Sequence, residues 1–174
     1  MKELVKKIKI LISDVDGVLT DGGLYYNDEG KVFKKFNVQD GLGIKLAQMA
    51  GLEIVIITGL KSKAVKARIK QLGITEYYEG FLKKDHLIKK ISKEKKLKFE
   101  EMAYLGDDWV DGPAMKLVGL PMAVKNSQPE IKKIAKWISQ KKGGEGALRE
   151  AINFILSMQG KLEQLWEKWL KQEF

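Results

Sequence analysis

The chain has 174 residues, carries 32 Lys and Arg against 23 Asp and Glu, and contains no cysteine. Without cysteine there is no disulfide, no thiolate metal site and no cysteine nucleophile, and a reducing compartment suits the composition. No apolar run approaches the roughly 18 residues that a membrane span needs, and Met1 to Lys7 lacks the apolar stretch of a signal peptide, so a cytoplasmic protein of one domain over 1–174 is expected, with no membrane partner. The net charge of +9 raises nucleic acid as a partner. However, the lysines are spread along the chain, often near Glu, as in Lys93-Glu94-Lys95-Lys96. No aromatic residues interleave with them as on an RNA-binding sheet. A solvated surface that attracts anionic substrates is the reading adopted, without a nucleic-acid partner.

Ile8 to Ser13 is a short apolar, β-branched run that reads as a buried strand. It breaks into Asp14-Val15-Asp16-Gly17-Val18-Leu19-Thr20-Asp21-Gly22. Residues two apart on a strand share a side, so Asp14 and Asp16 can converge. They can hold one cation together, or one can ligate while the other reacts. A plain polar turn is the simpler alternative, since Asp and Gly are turn residues.

Aromatic and aliphatic residues on either side of Asn27-Asp28-Glu29-Gly30 predict a β-hairpin over about 22–36 with its loop near Asp28. A helix follows over Leu42 to Ala50, with Asp40 as its N-cap and Gly51 closing it. Leu52 to Ile57 is a second buried strand, ending in Thr58-Gly59 and running into a helix from Lys61 to Leu72. A hydroxyl and backbone N–H groups at such a junction can hold an anion. Ile74 to Tyr78 suits a short strand, and Lys83-Lys84-Asp85 opens a basic amphipathic helix to about Lys96. His86 is expected on its exposed side.

A third buried strand, Glu101 to Leu105, ends in Gly106-Asp107-Asp108-Trp109-Val110-Asp111-Gly112, a second carboxylate cluster. A short helix (112–118), a strand (Leu120 to Val124) and a helix (Pro129 to Lys136) follow. Gly143-Gly144-Glu145-Gly146 is a loop before the helix Ala147 to Met158. In that helix Arg149 can bind a carboxylate or serve the helix end. A helical tail over about 160–174 carries an apolar stripe of Leu162, Leu165, Trp166, Trp169 and Leu170, with a neighbouring subunit slightly preferred to its own domain as the surface it packs on.

Strands alternating with helices predict an α/β fold: a Rossmann-like, doubly wound, mainly parallel sheet with a hairpin inserted after the first strand. Ligands of such sheets sit at the C-terminal strand edge. Asp14, Asp16, Thr58, Asp107, Asp108 and Asp111 all follow predicted strands, which combines them into one site. Oxygen donors without His or Cys favour Mg²⁺. The expected chemistry is phosphoryl transfer. Asp14 attacks, Asp16 serves as acid and base, and the metal, Lys84 and Thr58 offset the phosphoryl charge.

The run Asp14-Val15-Asp16-Gly17-Val18-Leu19-Thr20 resembles the first motif of the haloacid dehalogenase superfamily, Asp-x-Asp-x-x-x-Thr or -Val. Thr58 matches the second motif, Lys84 the third, and Gly106 to Asp111 the fourth. The resemblance implies a capless fold of that type, Asp14 as the nucleophile that becomes a phosphoaspartate, and Asp16 as the acid and base. It also implies phosphate held by Gly17, Thr58, Gly59 and Lys84, and Mg²⁺ held by Asp14, Asp16 (through its main-chain carbonyl), Asp107, Asp108 and Asp111. Phe36 to Ile44, Ile57-Thr58-Gly59 and Gly143 to Glu150 extend the likeness toward the 3-deoxy-D-manno-octulosonate 8-phosphate phosphatases. That likeness implies a phosphorylated sugar-acid substrate, release of the free sugar acid on the way to lipopolysaccharide, and a homotetramer in which hairpins meet. It also implies a C-terminal tail that can approach a neighbouring site. Gln39 and Leu60 stand where that family usually carries Arg. Two other readings remain open at this stage: a sugar-phosphate phosphatase of broader range, and a phosphoacceptor module. Asp16 separates the latter from a hydrolase, because a module needs a long-lived acyl phosphate.

Overall fold

Four buried residues, the branched apolar run Ile10-Leu11-Ile12 followed by Ser13, form the central strand β1. The structure, a computed structural model, describes residues 1–173. A short helix α1 (Lys2–Lys6) precedes β1, and a small hairpin of β2 (Tyr25–Tyr26) and β3 (Val32–Phe33) follows it. Then come α2 (Val38–Met49), β4 (Glu53–Thr58), α3 (Lys63–Leu72), β5 (Glu76–Glu79) and α4 (Asp85–Lys95). The second half runs β6 (Met102–Gly106), α5 (Gly112–Met115), β7 (Leu120–Ala123), α6 (Pro129–Ile134), β8 (Trp137–Ile138), α7 (Ala147–Met158) and α8 (Leu162–Leu170).

Six strands form one parallel sheet in the order β5-β4-β1-β6-β7-β8. The expected mainly parallel, doubly wound sheet is therefore present. Strand alternation divides its side chains between two layers. Leu11, Ile54, Ile56, Ala103 and Leu105 pack under α1, α2, α3, α7 and α8, whereas Ile10, Ile12, Val55, Ile57, Met102 and Tyr104 pack under α4, α5 and α6. Burial on both faces explains why these strands read as continuous apolar runs and not as alternating ones. The chain steps from β1 outward through β4 and β5, then returns to β6 on the other side. This reversal opens a crevice at the C-terminal end of β1, where α/β sheets hold ligands.

Several local expectations are corrected. Helix α2 starts at Val38 because the Asn37 side chain accepts from Gln39 N at 2.8 Å, so Asn37 is the N-cap and Asp40 lies inside the helix. Asp40 instead accepts from the backbone N–H of Arg149 at 2.8 Å, in the first turn of α7. Helix α3 begins at Lys63 under a Ser62 cap, which leaves Gly59 to Lys61 as a loop and not as a helix N-terminus. Strand β5 is shifted to Glu76–Glu79. The tail helix α8 packs on its own chain: Leu165 is buried, and Leu162 and Trp169 lean on the α2–α7 layer. Trp166 and Leu170 of the same stripe remain exposed. Helix α1 and strand β8 had no counterpart in the sequence pattern. They are five and two residues long, too short for a period to register.

Candidate active site

The end of β1 delivers Asp14 into the crevice, and Gly17 turns the chain with φ +88°. A side chain at this turn would place Cβ 2.1 Å from Asp107 Oδ2, so glycine is what lets the β6 loop approach the β1 loop. The Thr20 hydroxyl braces the loop from inside. It accepts from Gly17 N and Gly22 N, each at 3.3 Å, and reaches the Val15 carbonyl at 3.3 Å. Gly17 is a residue expected on phosphate, and its N–H is turned toward Thr20. A second brace comes from the glycine loop before α7. A Cβ at Gly143 would lie 1.7 Å from the Gly17 carbonyl oxygen, so this loop presses backbone on backbone against the turn.

Lys84, 1% exposed, closes the crevice from the N-terminus of α4. Its Nζ lies 2.9 Å from Asp14 Oδ1 and 2.7 Å from Asp111 Oδ1. The adjacent Lys83 is exposed, so position 84 supplies the buried ammonium. Asp111 is fully buried and takes four contacts. Oδ1 accepts from Lys84 and from the Tyr104 hydroxyl at 2.7 Å, and Oδ2 accepts from Asp107 N at 2.9 Å and from Asp108 N at 3.4 Å. A carboxylate so engaged is a hub that fixes Lys84 and the turn after β6.

Carboxylate oxygens of Asp14, Asp107 and Asp111 lie within 4.8 Å of one another. Asp107 Oδ1 is buried without a hydrogen-bond partner. An orphan oxygen beside two further carboxylates fits a cation as its partner, and an all-oxygen donor set is what Mg²⁺ prefers. The carboxylates of Asp16 and Asp108 stand outside this close group. Asp108 is exposed and accepts from Trp109 N at 2.6 Å, capping the turn Trp109–Asp111. Asp16 is half-buried and pairs with Lys34, which sequence reasoning passed over. No local motif marks Lys34, because only the fold of the hairpin brings it back to β1.

Burial is the first cause of the site's titration behaviour. It pushes Asp14 up to about 6, Asp111 adds to this, and Lys84 opposes it. Burial pushes Asp107 up to about 8, reinforced by Asp111, Asp14 and Asp108. Burial also pulls Lys84 down, but Asp111 and Asp14 outweigh it and leave the ammonium above its ordinary value. The site therefore holds a stable cation and a surplus of carboxylates.

Thr58 ends β4 beside β1 and is buried. Its Oγ1 accepts from Leu60 N at 3.4 Å. Half-buried Gly59 leads into exposed Leu60. Of the remaining candidates, His86 is exposed on α4, Gln39 is exposed on α2, and Arg149 Nε donates to Asn153 at 2.9 Å. No helix among the described residues is long and apolar enough to cross a membrane.

Residues 78–151 match the haloacid dehalogenase-like hydrolase family. The chain is 41% identical over 159 residues to the 3-deoxy-D-manno-octulosonate 8-phosphate phosphatase of Escherichia coli strain K12, covering 91% of this chain and 85% of that one. Its backbone superposes with a TM-score of 0.93 on the 3-deoxy-D-manno-octulosonate 8-phosphate phosphatase of Moraxella catarrhalis, crystallised with a magnesium ion, a phosphate ion and a KDO molecule. The two are 34% identical over 97% of each chain. The corresponding enzyme of Yersinia pestis gives a TM-score of 0.90 at 38% identity, over 93% of this chain and 88% of that one.

Proposed function

The chain belongs to the 3-deoxy-D-manno-octulosonate 8-phosphate phosphatase family of haloacid dehalogenase-like hydrolases, and on that premise we propose that it hydrolyses this phosphomonoester to the free sugar acid and phosphate. The observation that carries the reading is the buried pair of Asp14 with Lys84, set beside the orphan oxygen of Asp107 at the switch point of the sheet.

In this reading Asp14 attacks the phosphorus in line, forming a phosphoaspartate and expelling the sugar oxygen. Asp16 gives that oxygen its proton, then takes a proton from the water that attacks the acyl phosphate. Phosphate leaves and the Asp14 carboxylate is regenerated. The Lys84 ammonium and the Thr58 hydroxyl offset charge on the equatorial oxygens, with Gly59 lining the approach. Asp111 acts through Lys84 as a positioning residue. Asp14, Asp107 and the main-chain carbonyl of Asp16 would hold Mg²⁺. When bound, the metal neutralises charge on the transferring phosphoryl group. Asp108 and Asp111 support this set from the β6 turn, since their oxygens already serve N–H groups, Lys84 and Tyr104.

The exposed Leu24, Tyr25, Tyr26, Val32 and Phe33 of the hairpin support assembly as a homo-oligomer, with a tetramer as the form proposed. The direct test is phosphate release with Mg²⁺ from 3-deoxy-D-manno-octulosonate 8-phosphate and from a panel of neutral sugar phosphates. A kcat/KM for the sugar-acid phosphate well above the panel is expected. A flat profile would move the substrate to a broader set of sugar phosphates and leave the chemistry in place.

A further inference from the structure

Around Lys34 the hairpin faces solvent: Tyr25, Tyr26, Val32 and Phe33 are 41–63% exposed. The Lys34 side chain is 7% exposed and turns back into the crevice, where its Nζ contacts Asp16 Oδ1. The next lysine behaves differently. Lys35 is 62% exposed and stands 3.8 Å from Asp21 Oδ2, outside the crevice. The site thus contains two ammonium groups on separate carboxylates. Lys84 is fixed between Asp14 and Asp111, whereas Lys34 meets Asp16 alone.

We propose that Lys34 is a specificity-determining residue that binds the anionic leaving group, pairing with the carboxylate of the sugar acid. The inference rests on the phosphatase reading, in which Asp16 touches the leaving oxygen. A carboxyl group that donates its proton to that oxygen sits about 3 Å from it, so an ammonium on the other oxygen of the same group lies roughly 5–6 Å from the bond that breaks. That is the leaving-group side of the site, opposite the phosphoryl side held by Lys84. The four-carbon stem of a lysine lets its charge move over several ångströms from one oxygen to another. A neutral sugar offers no counter-charge to Lys34, whereas a sugar acid does. Gln39 and Leu60 bring no charge of their own, and the hairpin supplies an ammonium on the Asp16 side of the site.

The test measures steady-state turnover with Mg²⁺ of 3-deoxy-D-manno-octulosonate 8-phosphate and of glucose 6-phosphate, and takes the ratio of their kcat/KM values. Lys34→Met and Lys34→Gln are each expected to lower that ratio by about tenfold or more, chiefly by raising KM for the sugar-acid phosphate, as loss of one charge-assisted contact would. Lys34→Arg retains the charge and is expected to recover most of the ratio. Lys35→Met is expected to leave it within about threefold of wild type. Melting curves of each variant show which of the two neutral substitutions is read. An unchanged ratio, or an equal fall on both substrates, overturns the inference while the phosphatase reading stands. A wild-type enzyme that releases phosphate from neither substrate overturns both.

Discussion

Lys84 illustrates how one side chain can serve both stability and chemistry. It lies among two carboxylates at 1% exposure, so removing its charge leaves Asp14 and Asp111 facing each other in a poorly hydrated site. Lys84→Met is expected to abolish measurable phosphate release. Its effect on stability separates two forces: metal-free protein should lose about 3 kcal/mol or more, the range for breaking a buried pair, and saturating Mg²⁺ should restore part of that loss in denaturant titrations. Asp40 is a further buried carboxylate, and its folded-state value is raised to about 6 by burial, against Arg149 and Leu148 N–H groups that pull it down. An acid with a raised folded value binds protons more tightly in the native state, so its stabilising contribution is complete below about pH 4 and is lost as pH rises through 6. Asp40→Asn removes this dependence. Relative to wild type the variant should gain stability between pH 4 and pH 7, by on the order of 3 kcal/mol at most. A constant difference across that window would show that Asp40 does not titrate as described.

At the scale of elements, the site depends on loops pressed together without side chains between them. The Gly143 loop touches the Gly17 turn through backbone atoms alone. Gly143→Ala must push that turn, and displacements of about 1 Å at a reacting centre can lower rates by as much as a hundredfold. The variant is therefore expected to lose at least about tenfold in kcat, with a stability loss of about 1–3 kcal/mol from overpacking. Wild-type kcat in a folded Gly143→Ala protein would contradict this bracing role. The glycine loop was visible in the sequence, but its contact with residue 17 was not, since the two are joined only through the tertiary fold. The same distinction runs through the chain. The strand ends bearing Asp14, Thr58 and Asp107 were legible because buried parallel strands are apolar runs and their ends change character abruptly. Asn37 won the helix cap from Asp40 because its side chain reaches Gln39 N, a choice between two competent capping residues that spacing alone does not make. Lys34 was illegible for a stronger reason. A two-residue hairpin strand has no period, and the carboxylate it meets lies 18 positions earlier.

For the whole molecule, the placement of charge links metal binding to stability. Asp14 and Asp107 are both raised, to about 6 and about 8, by burial and by their mutual repulsion with Asp111. The native state without metal therefore holds protons that the unfolded chain releases. Its stability should decline as pH rises from about 4 to about 8. Mg²⁺ replaces those protons, so the increase in melting temperature on adding Mg²⁺ should grow over pH 6 to 8. A shift that is constant with pH would separate the metal from these carboxylates. The tail adds an independent contribution through Leu165, 7% exposed in the α2–α7–α8 layer. Leu165→Ala should lower stability by about 2–4 kcal/mol, and a change below about 0.5 kcal/mol would show that α8 is not packed as described.

Turnover by the proposed route requires Asp14 to become a phosphoaspartate. Enzyme mixed with 3-deoxy-D-manno-octulosonate 8-phosphate and Mg²⁺, quenched in acid within the first turnovers and examined by peptide mass spectrometry, reports this directly. One phosphoryl group on the peptide carrying Asp14, absent from Asp14→Asn and cleared as substrate is exhausted, is the predicted result. An unmodified Asp14 during demonstrable turnover, or an Asp14→Asn enzyme with wild-type kcat, would contradict it.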